Sequence, residues 1–215
     1  MEDAGNGAVD VRVAESGDLG GIVDVHAAAF PHYFLTNLGR GMLTRFYAAY
    51  LYHPNTVNIV ATENGKVCAF IVGVCDADEV LKSFYRQNLG YVIGCVCVRL
   101  LALNRVIVKG LALRLSHVGI ACASVFSRKR SCSAAHQPVE CRTRLLSIAV
   151  LPAVRGRGAS VKMMAFFEER LRERKVREVG LSVNSDNERA IAFYKKTGWR
   201  VAGQEAGSTE FVKCL

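Results

Sequence analysis

Residues 152–161 read Pro-Ala-Val-Arg-Gly-Arg-Gly-Ala-Ser-Val, two arginines alternating with two glycines between an apolar run and a stretch of helical spacing. A strand, a glycine-rich turn and a helix in that order make an anion site. The first N–H groups of the helix lack internal partners and the helix dipole favours negative charge there. Gly156 and Gly158 permit backbone angles and a close approach that a Cβ would block. Arg155 and Arg157 add bidentate phosphate contacts, and Ala159 and Ser160 open the helix. The chemistry suggested is a diphosphate held by main-chain amides of 155–160, against the plain alternative of a basic surface turn with no ligand. The P-loop pattern GxxxxGK[ST] is absent. GxGxxG fails because Val161 stands at its last position, and the following strand ends at Asn184 instead of an acidic residue that could read a ribose.

Elements with definite signals surround this turn. Residues 9–15 alternate apolar and polar as a half-buried strand does, and Ser16 offers an N-cap for a helix with Leu19, Ile22, Val23 and His26 at helical spacing. A break at Pro31 precedes a second helical pattern over 35–53. Two β-prone runs, 57–62 and 66–76, flank Glu-Asn-Gly and predict a hairpin. Residues 142–152 form a continuous apolar run, as in a strand buried on both faces. Val161, Met164, Phe167 and Leu171 then mark an amphipathic helix. Val179, Leu181 and Val183 mark a strand face, Ser185 and Glu188 have capping-box spacing for a helix through Lys196, and Gly198 can end it. Two short strands finish the chain. Residues 77–140 fit this order poorly and read as an insertion of one or two helices plus a basic loop.

The stretch from Leu145 to Trp199 resembles the core of the GCN5-related N-acetyltransferases. Their signature, R/Q-x-x-G-x-G/A between a strand and a helix, is met by Arg155, Gly158 and, in place of the final small residue, Ser160. Some thirty residues later an Asn, an A-x-x-x-Y and a Gly-aromatic pair follow as Asn187, Ala190, Tyr194 and Gly198-Trp199. The resemblance extends more loosely to 9–76 and leaves out 77–140. It implies a mixed α/β fold: a mostly antiparallel central sheet with a splayed strand pair, flanked by helices, in a single domain over 1–215. It implies acetyl-CoA as co-substrate, its pyrophosphate on residues 155–160 and its pantetheine arm along the strand edge at Ile148, Ala149 and Val150. Asn187 would contact the arm, and Tyr194 would protonate the departing thiolate. An acceptor amine would attack the thioester directly in a ternary complex, with no acyl-enzyme. His32, Tyr33 and Phe34, where the family closes over the acceptor, are candidate acceptor contacts. Many relatives carry a glutamate at the start of the first core strand or in the strand before the Asn motif; Arg144 and Ser182 stand there instead. That departure keeps open a catalytically impaired CoA-binding regulatory or interaction module.

Composition bounds the partners. The chain of 215 residues is 51% apolar and carries a net charge of +9, favouring anionic partners. Residues 1–98 hold 6 basic and 10 acidic side chains, 99–144 hold 9 and 1, and 145–215 hold 13 and 8, so the basicity lies in the second half. The acceptor expected is an unidentified amine, either a small molecule or a protein N-terminus. A polycationic acceptor would call for a more acidic balance. The basic stretch 127–130 is short and lacks interleaved aromatics, which argues against nucleic acid. A basic helix on an anionic membrane is the weaker reading of 95–130. The acidic first ten residues show no secretory pattern, and eight cysteines without a CxxC pair read as reduced thiols, so a cytoplasmic protein is the expectation. His26 reads as a core histidine and His53 as a helix end. His117 and His136 have no partners at metal spacing, so no metal is assigned. A homodimer is compatible with the sequence.

Overall fold

The computed structural model describes residues 9–101, 143–205 and 207–215. Strand β1 (Asp10–Val13) leads through a 3-10 turn at Ser16–Asp18 into α1 (Leu19–Ala29), followed by α2 (Phe34–Asn37), α3 (Arg40–Leu51), β2 (Thr56–Glu63), β3 (Lys66–Val74) and α4 (Ala77–Leu101). Then come β4 (Arg144–Val150), a 3-10 turn at Pro152–Val154, α5 (Ala159–Glu173), β5 (Glu178–Asn184), α6 (Glu188–Lys196), β6 (Arg200–Glu205) and β7 (Ser208–Cys214). The seven strands form one sheet in the order β1-β2-β3-β4-β5-β7-β6. Every neighbouring pair is antiparallel except β4 and β5, the mixed and mostly antiparallel sheet expected from the sequence.

Two cores sandwich the sheet. On one face Met163, Met164, Phe167 and Leu171 of α5 and Tyr194 of α6 pack against Ile59, Ile71, Val179, Leu181 and Phe211. On the other, Ile22 and Val23 of α1 and Leu43 and Tyr47 of α3 cover Val60, Phe70, Val72 and Ala149. Burying each large side chain contributes about 1.5–3 kcal/mol. A third, smaller cluster joins α3 to α4 through Leu38, Met42 and Phe84. No helix among the described residues is long and apolar enough to cross a membrane.

The β2–β3 hairpin turns at Asn64 and Gly65, both at positive φ (51° and 74°), the type I′ geometry that an Asn-Gly pair predicts. Gly198, at φ +85°, ends α6 with Trp199 N–H on Tyr194 O (3.0 Å) and Gly198 N–H on Lys195 O (3.2 Å), a Schellman motif.

Three local expectations change. Ser16 is not an N-cap; it opens the 3-10 turn, where Asp18 accepts the Glu15 N–H and two bonds from the Arg12 guanidinium. The helical pattern over 35–53 is divided by Gly39 at φ +105°, a backbone angle that breaks the helix whatever the side-chain spacing. Val161 lies on the solvent side of α5, 51% exposed, and Met163 takes the core position instead. The insertion expected as one or two helices plus a loop begins as one helix, α4, as far as Leu101; the rest of it, 102–140, lies outside the described residues.

Candidate active site

The site begins where β4 and β5 part. They meet at Arg144 opposite Gly180, with the Gly180 N–H on Thr143 O at 2.9 Å, and beyond that point they diverge. This splay corrects the expectation that β4 is buried on both faces: Leu145 and Ala149 are buried, but Ile148 and Val150 are only half-buried and Leu146 is 40% exposed. Main-chain groups alternate along a strand. Leu151 donates to Cys68 O on β3 (2.9 Å) and Ala149 stands opposite Phe70. Ala149 therefore spends its main-chain groups on β3, while those of Ile148 and Val150 face the gap. The Val150 carbonyl receives Arg155 Nε at 3.1 Å.

A cavity of about 390 Å³ lies along this free edge of β4, walled further by the turn into α5, by α6 and by the end of α1. Of the residues singled out in the sequence, Ile148, Ala149, Val150, Arg155, Gly156, Ala159, Ser160, Asn187, Tyr194 and Tyr33 line it. Arg157, Gly158, His32 and Phe34 do not. Arg157 is drawn aside by Glu63 on the β2–β3 hairpin (2.7 Å), Phe34 packs against the α3–α4 cluster and His32 is exposed. Gly158 instead shapes the turn. It caps α5 at φ +81°; Gly156, two residues earlier, has the same φ, and a Cβ placed on either glycine would meet nothing within 4 Å. The space beside both is open, as a phosphate cradle at a helix N-terminus requires. Arg155 and Arg189 are the cations at the cavity wall.

Asn187 is the N-cap of α6, its Oδ1 accepting the Ala190 N–H at 3.2 Å. This displaces the expected Ser185 cap; Ser185 Oγ instead meets Thr209 Oγ1 at 3.1 Å. With Oδ1 so used, the Asn187 Nδ2 is the donor left for a ligand. The Tyr194 ring is held by Phe193, Trp199 and Phe211, with centroids 5.5, 5.8 and 5.6 Å away. Only 5% of the residue is exposed, yet it lines the cavity, and its hydroxyl has no hydrogen-bond partner among the described residues. Burial pushes this phenol up to about 12, so it is a proton donor at neutral pH.

Sequence reasoning missed Ala29, Phe30, Val154, Arg189 and Phe193 in the wall. Arg189 and Phe193 were within reach, since they flank motif residues on α6. Phe30 follows the end of α1, edge-on to His26 at 5.0 Å. His26 is a core residue, with Nδ1 2.6 Å from Tyr47 Oη, and burial lowers its pKa to about 4. No group of three or more metal-ligating side chains occurs among the described residues.

Comparison with known proteins places this geometry. The model of the acetyltransferase (GNAT) family matches residues 23–199. No curated protein sequence matches the chain. Among solved structures, the PaiA N-acetyltransferase of Thermoplasma acidophilum in complex with coenzyme A superposes with a TM-score of 0.59 at 10% identity, covering 97% of this chain and 99% of that one. SsHAT gives 0.61 at 21% identity, covering 96% and 98%. The ribosomal-protein-S18-alanine N-acetyltransferase of Escherichia coli gives 0.54 at 15% identity, covering 97% and 93%. At these identities the structural likeness speaks for the fold.

Proposed function

Because the chain belongs to the acetyltransferase (GNAT) family, we propose that it moves the acetyl group of acetyl-CoA to a primary amine by direct attack in a ternary complex. The carrying observation is the cavity in the β4–β5 split. It joins strand-edge main-chain groups, an open glycine turn at a helix N-terminus and a protonated phenol in one space. In this reading the amides of 155–160 and the Arg155 side chain hold the pyrophosphate, and Ile148 and Val150 hold the pantetheine as a third strand would. Asn187 Nδ2 adds a donor to that arm. Tyr194 gives its proton to the departing sulfur. Arg157, committed to Glu63, stiffens the turn without facing the cavity. Of the three aromatic-loop candidates, Tyr33, which lines the cavity, is the acceptor contact in this reading. The single-domain reading of 1–215 and a protein acting in the cytoplasm belong to the same proposal.

A CoA-binding module without turnover is the second reading. Its support is that no Asp, Glu, His, Lys or Cys side chain lines the cavity, so the wall itself offers no proton acceptor for an amine.

Calorimetric titration with acetyl-CoA tests the cofactor assignment. Gly158→Glu sets a carboxylate at the phosphate position and a side chain at a φ of +81°, and it should abolish saturable binding while the variant remains folded by circular dichroism. Wild-type affinity in that variant would overturn the assignment of the turn.

A further inference from the structure

The split has two faces, and Tyr194 serves only one of them. Val179, Leu181 and Val183 of β5 turn towards α5 and α6, so Ser182 points to the opposite face. On β7, Phe211 packs beneath Tyr194, so Glu210 next to it shares the face of Ser182, its direct cross-strand partner. Three side chains meet there. Ser182 Oγ donates to Glu210 Oε1. Arg144, from the base of β4, donates to Glu210 Oε2 at 2.9 Å and to Ser182 Oγ. Ser182 lies two residues past the last contact between β4 and β5, where the strands have begun to separate, and is itself exposed. The side chains of Arg144 and Glu210 are both about a quarter exposed, so the cluster is reachable from solvent.

We propose that Ser182 and Glu210 are the proton-accepting pair for the attacking amine, with Ser182 touching the amine, Glu210 receiving its proton through that hydroxyl, and Arg144 fixing the carboxylate. The proposal rests on the acetyl-transfer reading above. The cavity wall has no proton acceptor, and Tyr194 supplies a proton instead of taking one. A carboxylate on the far face of the split puts proton removal from nitrogen and proton delivery to sulfur on opposite sides of the thioester carbon. The amine lone pair forms the N–C bond, and the C–S electron pair leaves with sulfur, which takes the Tyr194 proton. An N–H proton passes to Ser182 Oγ as the proton of Ser182 moves to Glu210 Oε1. Glu210 then releases a proton to solvent and Tyr194 regains one. Glu210 is thus a positioning and relay residue behind Ser182. Arg144 holds Oε2, which leaves Oε1 turned to the hydroxyl.

Hydroxylamine is a suitable acceptor probe because it is small enough to enter the split without specific recognition, and its acetylated product is measured by ferric colour. Acetyl-CoA affinity is followed in parallel by calorimetry. Glu210→Gln keeps the shape and an acceptor oxygen for Arg144 but sets a donor where Ser182 gave its proton, and should lower kcat about 100-fold or more with acetyl-CoA affinity unchanged. Glu210→Asp should regain part of that loss. The double variant Ser182→Glu/Glu210→Gln, which moves the carboxylate one strand into the split, should recover at least a tenth of wild-type turnover. Near-normal turnover in Glu210→Gln, or a double variant as slow as Glu210→Gln, would overturn the proposal. So would a wild type that binds acetyl-CoA but acetylates no hydroxylamine, a result that favours the binding-module reading. Absence of acetyl-CoA binding would remove the acetyl-transfer reading itself.

Discussion

Tyr194→Phe separates chemistry from architecture. The ring is fixed by Phe193, Trp199 and Phe211, all of which a phenylalanine would still meet. Its hydroxyl has no protein partner among the described residues, so its removal should change stability by less than about 1 kcal/mol at pH 7. If the phenol protonates the leaving sulfur, turnover should fall about 10²- to 10⁴-fold, or about 3–5 kcal/mol of barrier. Acetyl-CoA affinity should hold. The assay follows thiol release from acetyl-CoA with hydroxylamine present, alongside calorimetry and thermal melts. A pH series adds a second readout. The folded phenol titrates at about 12 and the unfolded one at 10.0. The folded state therefore holds its proton while the unfolded chain loses its own. Stability associated with Tyr194 is complete below pH 10 and declines as pH rises towards 12, by about 3 kcal/mol in all. Tyr194→Phe should remove that decline. Turnover within threefold of wild type in a folded variant would refute the acid role, whatever the melts show.

Two further substitutions test other parts of the site. Asn187→Ala should lose about 1 kcal/mol from the α6 N-cap and weaken acetyl-CoA binding. Asn187→Asp keeps the cap acceptor but removes the Nδ2 donor, so it should melt like wild type and still bind weakly; equal affinities for Asp and Asn would dismiss the cofactor contact. For His26 the ordinary value is 6.5 and the folded value about 4, so the unfolded chain takes up a proton first as pH falls. Stability is complete above pH 6.5, declines through the interval and levels off below 4, a loss of about 3 kcal/mol. His26→Gln should flatten that slope in urea titrations at pH 7 and 4.5, and an unchanged slope would mean that other groups carry it.

Local rules made much of the fold legible. Asn64-Gly65 fixes a hairpin without help from the rest of the chain, and Gly198 ends α6 through its own backbone angle. The failures occur where a local pattern is ambiguous about its neighbours. Helical spacing continues across Gly39, so the break there depends on a positive φ that apolar periodicity does not register. Val161 and Met163 both suit a helix, and the direction in which α5 lies on the sheet decides which is buried. The glycine turn and Tyr194 were visible because they lie in contiguous motifs. The diversion of Arg157 was not, since Glu63 is 94 residues away in sequence.

The β4 run shows why apolar composition misled about burial and still pointed at the site. A strand that lies between two neighbours buries both faces and both edges. β4 has β3 along its full length but β5 only at Arg144. The apolar side chains Ile148 and Val150 remain because one side of each still touches the α5–α6 core, while their main-chain groups face a cavity. Unpaired main-chain groups in a semi-buried gap are costly unless a ligand or water takes their hydrogen bonds, so the geometry that leaves β4 half-exposed also makes it a binding edge. The same divergence leaves both faces of the sheet open beside β4, with Tyr194 on the α6 side and Ser182, backed by Glu210, on the other. Only strand register brings that last pair together. Ser182 opposite Glu210 is a relation between two strands separated by a helix and a further strand, with no spacing in the sequence to announce it.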